Sequence, residues 1–172
     1  PQWLDDESAA DRLRATLAQR RVKVCFALPG ADVRVTVLAV APEEKKHLSK
    51  SLPFMLEEQF AADVDKLHFA FCPLEDDTFA VATAAQAKMI EWQLLLADFP
   101  GIQQWSPEPL LLPWQTGEWC LVLEGDNAII RVGLCAGLSV ERNLVDALLQ
   151  GVLRESGAPQ AVIVYGSDQI AD

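Results

Sequence analysis

Residues 51–71 read SLPFMLEEQFAADVDKLHFAF, and the fold turns on how this stretch is understood. Leu48, Leu52, Leu56 and Phe60 recur every four residues, the spacing of a single buried stripe on a helix. Pro53 falls inside that stripe and removes the backbone bond to the Ser49 carbonyl, a loss of about 3 kcal/mol in a straight helix. The segment therefore predicts a kinked helix, or two short helices in sequence, with Ser49 and Ser51 placed to help satisfy the freed groups. It then passes directly into an apolar run, Leu67 to Phe71, that reads as a strand. In helical register Phe54 falls almost opposite the stripe, beside Lys50, Glu57 and Ala61, with Glu58 at the margin. An outward Phe among acids points to a protein contact. Because proline disturbs the register itself, the favoured expectation is that the kink turns Phe54 back onto its own core.

Pro42, Glu43 and Glu44 are expected to open this helix, the acids sitting at the positive end of its dipole. Toward the N-terminus, residues 7–20 predict a short amphipathic helix with Leu13 and Leu17 on one face. Residues 21–29 and 32–41 predict two strands joined by a Pro-Gly-Ala-Asp break as a hairpin-like pair. Toward the C-terminus, strands at 66–74 and 78–84 flank the turn Glu75-Asp76-Asp77, followed by a helix at 85–99 and a short strand at 101–105. Three prolines and a Thr-Gly turn punctuate residues 106–119, which mark a boundary between modules. Beyond it come strands at 118–125, 127–135 and 136–140, the first two joined at Gly125-Asp126. A helix at 141–156, with Leu144, Leu148 and Val152 in register, and a strand at 160–166 complete the series. The pattern is mixed α and β. It predicts two modules, residues 1–106 and 107–172, each a β-meander followed by a helix and a strand, provided one strand lies upstream of Pro1 and the second module continues. A doubled unit of this kind is the plan of actin-like folds, in which two ribonuclease-H-like modules face each other.

The 172 residues carry 25 acids against 14 bases, a net charge of −11. That excess argues against nucleic acid and anionic membrane as partners, both of which attract clustered Lys and Arg, and suits a basic protein. No apolar run approaches the ~20 residues that cross a bilayer, and the first residues lack the basic start of a secretory signal. Cys25, Cys72, Cys120 and Cys135 fit no metal-binding spacing; they are expected to be buried free thiols of a reducing cytoplasm. His47 and His68 are too isolated to build a metal site with them.

Two segments carry a family resemblance. Leu52, Pro53, Phe54, Leu56, Glu57, Glu58 and Gln59, followed by Leu67, His68, Phe69 and Ala70, resemble a helix-to-strand motif of the cytoplasmic part of the type II secretion system L protein. The run EPLLLPWQTGEWCLVLEGDNAIIRVG, residues 108–133, is similar to that family's proline-leucine run, Trp-Cys strand and hairpin. The resemblance implies an actin-like domain on the cytoplasmic side of the bacterial inner membrane, part of a platform that docks the secretion ATPase (the E subunit) through that partner's N-terminal region. It further implies a transmembrane helix and a periplasmic domain downstream, through which the family meets the M platform protein and itself, so a homodimer is one expectation. The family's first strands precede the positions matching Trp3-Leu4.

Actin-like folds raise the question of ATP. Phosphate-gripping hairpins use Asp-x-Gly followed by small hydroxyl residues. Here the corresponding turn reads Glu124-Gly125-Asp126-Asn127-Ala128-Ile129-Ile130, with bulky apolar residues where Ser or Thr would stand. There is no GxxxxGK[ST] loop. Asp32, Asp63 and Asp65 read as caps or solvated acids rather than a two-metal site, and two histidines supply no Ser-His-Asp set. The expectation is a scaffold with no catalytic residue, cofactor or metal. The competing class is a nucleotide-binding actin-like protein similar to the pilus-assembly M proteins. The partner-binding residues expected are Phe54, Glu57, Glu58, Asp63 and Asp65, extended by Glu75-Asp76-Asp77 into a negative face. Trp105, Trp114 and Trp119 are expected either to anchor a partner or to fill a seam between modules.

Overall fold

The computed structural model describes residues 7–19, 23–99 and 101–166. In chain order its elements are α1 (Glu7–Gln19), β1 (Val24–Leu28), β2 (Val33–Ala39), α2 (Leu48–Leu56), β3 (Leu67–Pro73), β4 (Thr78–Ala85) and α3 (Gln86–Leu95). There follow β5 (Ile102–Pro107), β6 (Glu118–Glu124), β7 (Asn127–Gly133), β8 (Ala136–Glu141), α4 (Val145–Ser156) and β9 (Ala161–Gly166). They build three sheets: β1 parallel to β5, the antiparallel set β2-β4-β3, and β8-β7-β6-β9.

The first sheet corrects the expected β1–β2 hairpin. Asp32 N–H does close a turn onto the Pro29 carbonyl at 2.9 Å, yet the two strands leave that turn into different sheets. β1 pairs with β5, far along the chain, and β2 pairs with β4. Phe26 on β1 meets Trp105 and Trp92 edge-on at centroid distances of 5.5 and 6.4 Å. These rings, with Leu28, Val33, Ala84 and Met89, form a core between this pair and the second sheet. Apolar contact between β1 and α3, rather than a local ladder, decides where β1 lies.

On the second sheet α2 covers one face. Leu48, Leu52 and Leu56 are fully buried and pack with Val40 and Val81, while Met55, Phe60, Phe69 and Phe79 close the rim. Each buried leucine removes enough apolar surface from water to contribute about 2 kcal/mol. The α-helix is continuous through Pro53, with 3-10 turns before it at Lys45–His47 and after it at Glu57–Gln59. Glu43 and Glu44 lie ahead of the first of these turns, so they do not occupy the first turn of α2. Of the two serines, Ser51 reaches the His47 and Leu48 carbonyls, each at 3.4 Å, rather than the carbonyl that Pro53 releases. Ser49 is exposed, which leaves that carbonyl within reach of water.

The third sheet is a meander, β6-β7-β8, followed by the crossover α4, which returns β9 parallel to β6. Its core joins Trp119, Leu121, Ala128 and Ile130 to Val145, Leu149 and Val152 of α4. The expected stripe is thus one residue out of phase at two of its three positions. Residues 142–144 form a 3-10 turn before α4 begins, and this shift leaves Leu144 and Leu148 exposed.

Candidate interaction surface

Helical register and structure agree on where Phe54 points. Its side chain is 74% exposed, so the expectation that Pro53 would turn it inward is corrected. The helix runs through the proline without re-registering, and the buried leucines on either side hold the phase. One turn further on, Glu57 and Glu58 open the 3-10 turn that ends the helical segment, and both are exposed. Arg34 fixes that turn to the sheet: its Nη1 donates to the Gln59 carbonyl at 2.9 Å and its guanidinium lies 5.3 Å from the Phe60 ring centroid. Phe54, Glu57 and Glu58 therefore form a ridge on a rigid support rather than a loop.

Asp63 and Asp65 belong to the next turn. The Asp63 carboxylate accepts the Asp65 amide at 3.2 Å, capping the 3-10 turn Val64–Lys66, and lies 4.0 Å from Lys66 Nζ. Asp65 gives its carbonyl to Gln86 Nε2 at 3.0 Å and keeps its side chain in solvent. Asp63 has a structural task that accounts for its acid. In the turn Glu75-Asp76-Asp77 both aspartates have positive φ, 50° and 60°, and Asp77 is ion-paired with Lys45.

A cleft of about 980 Å³ lies between β2, an edge strand among the described residues, and β8 and α4. Val35, Val37, Phe60, Leu138 and Leu148 line it, so its walls are largely apolar. At its apex the Glu108 carboxylate accepts from the Gly30 amide at 3.3 Å and from the Ser139 hydroxyl at 3.4 Å. The turn Glu124-Gly125-Asp126-Asn127, weighed above as a phosphate hairpin, contributes no lining residue to this cleft. It folds against the start of the α4 segment instead, where the Arg142 amide donates to the Asp126 carbonyl at 2.8 Å. Ala128, in the position a hydroxyl would take, is fully buried. Among the described residues no three His, Cys, Asp or Glu side chains converge as a metal site, and none of the helices is long and apolar enough to cross a membrane.

Trp105, Trp114 and Trp119 pack against the protein itself. Trp119 is buried in the third sheet's core and Trp105 packs in the first. Trp114 lies beneath Arg131, whose guanidinium is 5.8 Å from its ring. The cysteines depart from expectation. All four are free, but Cys25 and Cys72 are exposed, Cys135 is half-buried and Cys120 alone is buried. Cys25 and Cys72 occupy exposed positions of β1 and β3.

The three-sheet architecture is that of the actin-like proteins. Its backbone superposes on the cytoplasmic domain of EpsL, an inner membrane component of the type II secretion system of Vibrio cholerae, with a TM-score of 0.76 at 20% identity, over 96% of this chain and 71% of that one. A Bacteroides thetaiotaomicron protein with an actin-like ATPase fold and unknown function superposes at a TM-score of 0.50 and 11% identity, over 96% of this chain and 68% of that one. The family model of type II secretion system protein L matches residues 4–167, and this chain belongs to that family. Type II secretion system protein L of Klebsiella pneumoniae is 30% identical over 150 residues, 86% of this chain. The Dickeya chrysanthemi protein of that name is 29% identical over 142 residues, 81% of this chain. The chain spans 37% and 35% of the length of these two relatives.

Proposed function

We propose that this chain is the cytoplasmic docking module of an inner-membrane secretion platform, built as modules 1–106 and 107–172, and that it holds the secretion ATPase rather than acting as an enzyme. The ridge Phe54-Glu57-Glu58 is the contact, with Asp65 extending its negative edge. The observation that carries this reading is Phe54, a large apolar side chain 74% exposed on a well-packed helix. An aromatic residue kept in water beside two exposed acids suits a basic partner that buries the ring and meets the charges. Membership of the protein L family supports a place in a multiprotein membrane assembly. The apolar walls of the cleft and the bulky residues following Gly125 speak against a nucleotide as the ligand.

Titration calorimetry of this chain against the N-terminal region of the secretion ATPase, with magnesium-ATP titrated in parallel, tests the proposal. Saturable binding that weakens with salt and is reduced by Glu57→Lys with Glu58→Lys is the expected result. Unchanged affinity in a folded double variant removes the ridge from the interface. Binding of ATP without binding of the partner replaces the reading with a nucleotide-binding one.

A further inference from the structure

The second sheet ends at β3, and the outer edge of that strand carries unpaired backbone groups. The Leu74 amide donates to the Thr78 carbonyl at 2.9 Å, so by strand alternation Cys72, Ala70 and His68 also turn their backbone groups toward β4. Leu67, Phe69, Phe71 and Pro73 turn theirs outward. The Leu67 amide is taken by the Val64 carbonyl, and its carbonyl lies 3.4 Å from Gln86 Nε2. Pro73 has no N–H, which is why a proline is tolerated at this position. What remains is the N–H and C=O of both Phe69 and Phe71 and the carbonyl of Pro73, with no strand beside them among the described residues.

Exposed edges are usually blunted by charge, a bulge or brevity. Between Leu67 and Cys72 there is no Lys, Arg, Asp or Glu, and Phe71 is 41% exposed. The charges sit at the two ends instead: Asp63 and Asp65 before the strand, and Glu75, Asp76 and Asp77 after it, against Lys66 and Lys45. An apolar edge with acids at both ends selects its occupant. A second copy of this chain is disfavoured, because an antiparallel pairing centred on Ala70 sets Asp65 of each copy against Glu75 of the other. A partner strand with Lys or Arg at both ends satisfies the backbone groups and the charges together.

The geometry points to β3 as a strand-addition site for an extended, basic-flanked segment of a partner protein, distinct from the Phe54 ridge. The segment pairs with Phe69 and Phe71 through main-chain hydrogen bonds. Its alternate side chains lie over Phe71 on one face and over Ala70 and Cys72 on the other.

The test uses a fluorescein-labelled peptide, Lys-Lys-Val-Thr-Val-Thr-Lys-Lys, with two controls: the same peptide flanked by Glu, and one N-methylated at alternate amides. Anisotropy is expected to show saturable, salt-sensitive binding of the first peptide only, with the Phe69 and Phe71 amides gaining protection from hydrogen exchange. Phe71→Pro removes an outward N–H and is expected to lower affinity about tenfold, the scale of one or two backbone bonds. Cys72→Lys, on an exposed side chain that carries no fold, is expected to lower it through repulsion, while Phe54→Ala leaves it unchanged. Circular dichroism checks that each variant is folded. No binding of the basic peptide, or binding indifferent to N-methylation and to both edge variants, overturns the proposal. Concentration-dependent dimerisation abolished by Phe71→Pro also overturns it, assigning the edge to a second copy.

Discussion

A Cβ placed on Gly30 would fall 2.1 Å from the Ser139 hydroxyl and 2.8 Å from two Pro109 ring carbons. The loop after β1 and the strand β8 meet here at the apex of the cleft, and only a hydrogen fits between them. Gly30→Ala is expected to destabilise the fold by about 1–3 kcal/mol through overpacking. Ser139 can rotate away and the buried Pro109 ring cannot, so Ser139→Ala on the Gly30→Ala background is expected to recover only part of the loss. Urea midpoints of the two variants and the parent decide this.

Leu52 and Phe54 are two residues apart with opposite fates, one fully buried and the other 74% exposed. Leu52→Ala leaves a cavity under α2 and is expected to cost about 2–5 kcal/mol. Phe54→Ala is expected to stay within about 0.5 kcal/mol of the parent. Equal losses in chemical denaturation would mean that Phe54 packs inward after all.

Arg131 ties the chain between β5 and β6 to the β7–β8 turn. Its Nη1 donates to the Leu110 and Leu112 carbonyls, each at 2.6 Å, Nη2 to the Leu134 carbonyl at 2.9 Å, and Nε to the Gly133 carbonyl at 3.2 Å. Truncation to Ala leaves these carbonyls without their donor and is expected to cost about 2–4 kcal/mol. Arg131→Lys restores charge but not the planar fork, so it recovers little of that in thermal unfolding.

Two of the thiols are shifted by their surroundings. Burial pushes the Cys120 thiol above its ordinary 9.0, with Glu118 adding to the shift and Arg131 opposing it. Cys135 is raised likewise, by burial first and then by the neighbouring Cys72. A group raised in the native state holds its full stabilisation below the unfolded value and loses it as pH climbs through the native one. Urea midpoints are therefore expected to fall above pH 9.0, and Cys120→Ala to flatten part of that fall. Lys88 is raised as well, by its hydrogen bond to Glu91 and by the charges of Asp32 and Glu91, so its stabilisation is also lost in strong alkali. Iodoacetamide is expected to label Cys25 and Cys72 first and Cys120 last, as mass spectrometry of the native protein would show.

The outward ridge was legible before any coordinates, since the period that buries Leu48, Leu52 and Leu56 leaves Phe54 no other side. Pro53 does not override that period: the packed leucines hold the register through the lost hydrogen bond. The capping role of Asp63 was likewise readable as a helix-end acid. The β3 edge was not readable, because an apolar alternating run looks the same whether one neighbour or two lie beside it. Pro73 was its only local sign.

Local periodicity in the sequence thus determined the position and type of nearly every helix and strand and the buried stripe of α2, while the residue motifs at 52–70 and 108–133 carried the resemblance to the family. Tertiary structure alone decided that β1 belongs with β5, that Leu144 and Leu148 stay in solvent, that two cysteines are exposed and which edges remain open. Those outcomes depend on residues brought together from distant parts of the chain, where the competition is between packing partners and not between backbone conformations.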